Sequence, residues 1–282
     1  FVLCLSSCLL ANSYGTEVKE GQDSVSAGRY RHFLRGINLP YWFWLNQSEV
    51  QPLEKRFSSA DLKLIKSLGL TFVRIPVDMA NLYDPGREDK LNPSALQILL
   101  SGIAKILKSG LAVNFDLHSI SQESGGSNYS GPLGQDEKFT AEFINFWQHL
   151  AEKLAIFDPD RLLIEPMNEP VFLGEEYKWP PIQKELLQAI REKLPEHTLL
   201  ATGAFWSNLP GLLALEPVDD PNVWYNFHFY EPHIFTHQGA TWGADYDKYL
   251  RHVPYPSSPE SVEQAILLVE NDTLKQYLRD YG

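Results

Sequence analysis

Residues 162–172 read LLIEPMNEPVF: an apolar run that closes on an amide and a carboxylate, Asn168 and Glu169, with Pro170 directly behind them. A carboxyl group whose proton affinity is tuned by burial and neighbours can serve as a general acid in one step and a general base in the next. Taken alone, the triplet reads better as an ordinary strand end, with Glu169 paired to an arginine or capping the next helix. Its company reverses that preference. Arg74, His118, His228 and Tyr230 also stand at the ends of short apolar runs. Such a set supplies a fixed cation, two titratable imidazoles and a phenol around one carboxyl group.

These side chains need a scaffold that brings strand ends together. From residue 32 onward, short apolar runs bounded by Gly, Pro or Asn alternate with segments of helical period. The spacing predicts strands at 32–39, 71–77, 111–118, 161–169, 198–204 and 223–230. It predicts helices near 58–68, 94–109, 137–157, 178–194, 207–215 and 259–280. Sustained βα alternation implies a parallel sheet covered by helices. An open doubly wound sheet would carry a glycine-rich phosphate turn after its first strand, but here that strand runs into GINLPYWFW. A closed barrel gathers its site at the carboxyl ends of the strands, where the polar residues stand. Along 111–118, Val113, Phe115 and Leu117 share one face, and Asn114, Asp116 and His118 the other. Trp224, Asn226, His228 and Tyr230 likewise share a face. The expected fold is therefore α/β, a (β/α)8 TIM barrel. It is incomplete here: about six βα units are legible before the chain stops at Gly282.

The segments RGINLPYW, FVRIPV, NFDLH, IEPMNEP and NFHFYEPHIFTHQGATW occur in this order. As an ordered set spanning about 32 to 282, they resemble glycoside hydrolase family 5, the cellulase family of clan A retaining enzymes. The resemblance implies a (β/α)8 barrel that hydrolyses β-linked polysaccharide. It implies Glu169 as acid/base, Asn168 at the sugar 2-hydroxyl, Arg74 in support of the nucleophile, and His118, His228 and Tyr230 at the mouth. Pro166 departs from the family pattern, which has a small or apolar non-proline residue there.

Retaining hydrolysis needs a second carboxylate about 5–5.5 Å from the first. Glu165 shares the face of Glu169 but lies four residues back, roughly 13 Å along a strand. Glu231 should point away from His228 and Tyr230, and Glu260, Glu263 and Glu270 fall on the closing helical stretch. The nucleophile is therefore expected beyond Gly282, and the chain as it stands is expected to be inactive. Loop tryptophans offer flat faces to the C–H surface of a pyranose. Trp42, Trp44, Trp206 and Trp242 are the candidates, while Trp147 reads as helix core.

The remaining features bound the reading. A net charge of −12 argues against nucleic acid, which needs a basic surface. Residues 1–15 read as part of a secretory signal peptide, with cleavage near Ala11-Asn12-Ser13. Residues 16–30 read as a polar linker, and 31–282 as the barrel domain. Cys8 offers a weaker lipoprotein alternative. The chain is expected to be secreted or periplasmic and monomeric, without a membrane span and without cofactor or metal. The leading function is an endo-β-1,4-glucanase; a β-mannanase or another β-glucanase of the same family is the near alternative. Two different classes also compete: a metal-dependent hydrolase built on Asp116, His118, His228 and His233, and a non-catalytic glycan-binding barrel.

Overall fold

The structure, a computed structural model, describes residues 27–44, 50–119, 131–244 and 246–282. The leader 1–15, Cys8, most of the linker and the loop 121–130 lie outside the described residues. The chain divides after His228 into two compact units.

The first unit holds six parallel strands in sequence order: β1 (Gly36–Asn38), β2 (Phe72–Asp78), β3 (Ala112–Ser119), β4 (Leu162–Glu165), β5 (Thr198–Thr202) and β6 (Val223–Asn226). Each strand pairs with the next, and helices return the chain between them. The helix signals are local. Ser58 and Asp61 form a capping box ahead of Ser59–Ser67, and Asn92 caps Pro93–Lys108, whose proline occupies the first turn where no N–H is needed. Asp136 caps Glu137–Leu154, and Trp179–Arg191 buries Ile182, Leu186, Leu187 and Ile190.

Strand parity sorts the core into two faces. Val73, Ile75, Val77, Val113, Phe115, Leu117, Ile164, Leu199 and Ala201 pack with the helices in the main cluster. The opposite parity contributes Phe72, Ala112, Leu163 and Leu200, which cluster with Phe33 and Trp224. Two residues further along those same strands, the inner face turns polar, at Arg74, Asn114, Glu165, Thr202 and Asn226. The register sets Phe72 beside Ala112, Arg74 beside Asn114 and Asp116 beside Glu165. One inner face thus carries an apolar floor with a charged layer above it.

Several elements are shorter than expected. The first strand keeps only three residues, because Ala27–His32 coils into a helix. Buried Arg29 anchors that helix to Asp160, Thr198 and Asn222. β4 stops at Glu165 because Pro166 has no N–H for the ladder, although Asn168 N–H still reaches Leu117 O at 3.0 Å. β6 stops at Asn226 rather than at 230.

The second unit, 229–282, has its own apolar cluster around Ile234, Leu250, Val253, Val262, Ile266 and Leu278. The expected single helix at 259–280 is two, Pro259–Leu267 and Asp272–Tyr281. Asn271 starts the second by capping Leu274 N–H. Among the described residues no helix is long and apolar enough to cross a membrane.

Candidate active site

Arg74, on β2, lies at the centre of the polar layer and is buried. Its Nε donates to Glu165 Oε2 and its Nη2 to Glu165 Oε1, both at 2.8 Å. Nη2 also donates to Asn168 Oδ1 at 2.7 Å and stands 3.0 Å from Asp116 Oδ2. Glu165 accepts two further bonds, from Asn114 Nδ2 at 2.8 Å and Asn226 Nδ2 at 3.1 Å. Burial alone would raise the proton affinity of Glu165. The charge and hydrogen bonds of Arg74, with help from His228, outweigh it and hold the carboxyl well below the usual range. Asp116 goes the other way, because complete burial and the neighbouring Glu165 charge exceed what Arg74 and His118 return.

Arg74 was expected to support a nucleophile. Among the described residues, the carboxylate gripped by its fork is Glu165, and the fork also orients the Asn168 amide. Glu165 is thus a site residue that sequence reasoning set aside. Spacing along a continuous strand would separate it from Glu169, but β4 ends at Glu165 and the His228 ring reaches both carboxylates, while register puts Glu165 next to Asp116 and within reach of Arg74 and Asn114. A carboxylate saturated by four donors has no lone pair to spare for attack.

Glu169 stands in a different environment. Its side chain is 15% exposed, and Oε1 lies 2.6 Å from His228 Nδ1. The other imidazole nitrogen, Nε2, is 3.9 Å from Glu165 Oε1, so one ring lies between two carboxylates. Burial disfavours the charged ring, but the neighbouring Glu165 carboxylate and the hydrogen bond to Glu169 overcome this and push His228 up to about 10. His228 is therefore an imidazolium at neutral pH and donates Nδ1–H to Glu169. A carboxyl group with a solvent path and a charged donor beside it can exchange a proton with a bound molecule.

His118, at the end of β3, holds Asp116 Oδ2 at 2.7 Å through Nδ1. The Trp44 ring meets its imidazole edge-on at 4.3 Å. Trp206, partly buried, packs edge-on to Phe205 at 4.8 Å. Trp42 contradicts its expected role. It is fully buried, donates Nε1–H to Gln51 O at 3.0 Å, and lies against Gly102, where an added Cβ would stand 2.1 Å from its ring. A ring walled in by a helix offers no face to a sugar. In the second unit, Tyr230 lies beyond the end of β6, with its ring edge-on to His237 at 5.3 Å. Trp242, in the same unit, is 69% exposed. Among the described residues no group of three or more His, Cys, Asp or Glu could hold a metal ion. Of the residues the metal reading named (Asp116, His118, His228 and His233), Asp116 is held by Arg74 and His118, and His228 by Glu169.

A parallel α/β sheet of this order, with carboxylates, imidazoles and a buried arginine at its strand ends, is the architecture of barrel glycoside hydrolases. A family model described as cellulase, glycosyl hydrolase family 5, matches residues 20–280. The chain belongs to that family and is a glycosyl hydrolase. It is 27% identical over 237 residues to endoglucanase C of Acetivibrio thermocellus, covering 83% of this chain and 68% of that protein. It is 30% identical over 225 residues to cellodextrinase A of Ruminococcus flavefaciens, covering 76% of this chain and 63% of the relative. The crystal structure of endoglucanase Cel5A from Thermotoga maritima superposes with a TM-score of 0.67 over 89% of this chain and 76% of that one, at 24% identity. That likeness establishes the barrel fold.

Proposed function

We propose that the chain is a secreted retaining endo-β-1,4-glucanase in which Glu169 is the acid/base. The observation that carries this reading is the Glu169–His228 pair at 2.6 Å, partly open to solvent at the end of β4 in a family 5 chain. In the first half-reaction Glu169 protonates the departing glycosidic oxygen, and in the second it takes a proton from the attacking water. His228 holds the carboxyl in place from one side. Asn168, its amide oxygen fixed by Arg74, presents its nitrogen to the sugar 2-hydroxyl, a contact that strengthens as the transition state forms. His118, Trp44 and Trp206 line the glycan path. No residue of this chain is assigned as nucleophile. Secretion rests on the apolar, uncharged character of 1–15 followed by a polar stretch, and N-terminal sequencing of protein recovered outside the cell tests it.

The endoglucanase names of the similar proteins support β-1,4-glucan as substrate. The test is carboxymethylcellulose with the full-length protein, following viscosity and reducing ends together. Endo cleavage drops viscosity well before reducing ends accumulate. Glu169→Gln should lower kcat on this substrate by about a thousandfold or more, within the range that loss of acid/base assistance gives. The reading fails if β-1,4-glucan, β-mannan and β-1,3-glucan are all left intact, and mannan cleavage alone would move the substrate to the near alternative.

A further inference from the structure

The loop after β5 adopts an unfavourable backbone. Phe205, Trp206 and Ser207 have φ of 60°, 56° and 55°, the left-handed region that side chains with a Cβ avoid. Three such residues in a row persist only where their surroundings over-determine them. Here the surroundings are tight. Gly203 meets the following helical turn so closely that a Cβ on it would stand 2.1 Å from the Gly211 carbonyl carbon. Phe205 N–H donates to Val171 O at 3.3 Å and Trp206 N–H to Pro170 O at 3.2 Å. The Ser207 hydroxyl donates to Asn168 O at 2.7 Å. The Ser207 carbonyl accepts His228 N–H at 2.8 Å. Ser207 is itself fully buried.

These contacts fall on both sides of one residue. Asn168 precedes Glu169, Pro170 and Val171 follow it, and His228 is its side-chain partner. Ser207 joins the two backbones, its hydroxyl bonding the carbonyl of Asn168, the residue before Glu169, and its carbonyl accepting the N–H of His228. The left-handed turn is what lets one residue face both segments. We propose that Ser207 is a positioning residue, tying the backbone that carries Glu169 to the backbone that carries His228 so that their side chains meet. As a statement about catalysis, this rests on the reading of Glu169 as acid/base. The groups that face the His228 ring are Glu165, Glu169 and Arg74, so the ring reports directly on whether the Glu169 contact is kept.

Two variants separate positioning from mere structure. Ser207→Gly keeps the left-handed backbone, which glycine adopts freely, and removes the hydroxyl. It should unfold within about 3 °C of the parent, while the His228 pKa, read by NMR of the imidazole in the full-length protein, falls by about one unit or more. Its kcat on β-1,4-glucan should fall about tenfold with KM little changed. Ser207→Thr keeps the hydroxyl but puts a β-branch at positive φ. It should unfold at lower temperature while His228 still titrates as in the parent. The proposal is overturned if Ser207→Gly leaves the His228 titration at its parental value. It is also overturned if that variant does not fold, since the hydroxyl would then serve the fold rather than the pair, or if titration follows stability in both variants. Glu169→Gln with parental activity would sink the acid/base reading while the NMR result on Ser207 still stood.

Discussion

An imidazolium held between Glu165 and Glu169 makes the stability of this protein fall in alkali. The folded pKa of His228 is about 10, against about 6.5 in an unfolded chain. A pKa raised by folding contributes stability that is fully present below the unfolded value and is lost as pH rises through the folded one. Between those limits each pH unit removes about 1.4 kcal/mol. From pH 7 to pH 10 the loss is about 4 kcal/mol, a large part of a typical total of roughly 5–15 kcal/mol. The His228 side chain is 5% exposed, so solvent does little to screen it. Urea unfolding followed by tryptophan fluorescence from pH 6 to pH 10, on the parent and on His228→Asn, isolates the effect from tyrosines and lysines that titrate in the same range. The parent should be the more stable by a margin that shrinks by about 4 kcal/mol across that range. In Glu169→Gln the ring loses one charged partner, so the decline should be smaller and begin to level at lower pH. Two stability curves that run parallel from pH 6 to pH 10 would refute the placement of a charged His228 between the carboxylates.

Arg74→Lys replaces a fork that grips two Glu165 oxygens and Asn168 Oδ1 with a point charge, and should cost about 3–5 kcal/mol in urea unfolding. Activity should fall with it, because the Asn168 amide loses its anchor. Trp42→Ala should destabilise by about 3–5 kcal/mol without raising KM for β-1,4-glucan beyond what the lost stability explains. Trp206→Ala should do the reverse, raising KM with little change in the urea midpoint.

The helices and the strand order were legible because each rests on local grammar: caps at Ser58, Asn92 and Asp136, apolar spacing between them, and punctuating glycines. The inner face was legible at β3, where Asn114, Asp116 and His118 alternate with Val113, Phe115 and Leu117. What the sequence hid is what depends on register between strands. Glu165 looked too far from Glu169 to matter, on a spacing that assumes a strand continuing past Glu165, where β4 ends. Only the pairing of Asp116 with Glu165 and Arg74 with Asn114 shows that it neutralises the arginine. Trp42 misled because a tryptophan after a first strand looks like a loop platform. The counter-signal was Gly102 at the helix face of Leu99, Ile103 and Ile106, a gap in an apolar stripe that a large ring fills. Ser207 carries no sequence signal, since nothing local in AFWSNLPG marks three successive left-handed residues.

The two carboxylates of IEPMNEP illustrate how one strand end divides labour. Both belong to the same short segment, and both face His228. Glu165 sits one layer lower, where four donors, two of them on Arg74, fix it as an anion that never needs to move. That fixed anion helps keep His228 charged, and the charged ring in turn holds Glu169 at 2.6 Å. Remove Glu165 and the arginine becomes a buried cation with only Asp116 to balance it, while the ring loses one of its two reasons to be protonated. Glu165→Gln should therefore lower the His228 pKa even though its oxygen lies 3.9 Å from the ring. NMR titration of His228 in that variant distinguishes a layered electrostatic support from an isolated Glu169–His228 hydrogen bond, which would leave the value unchanged.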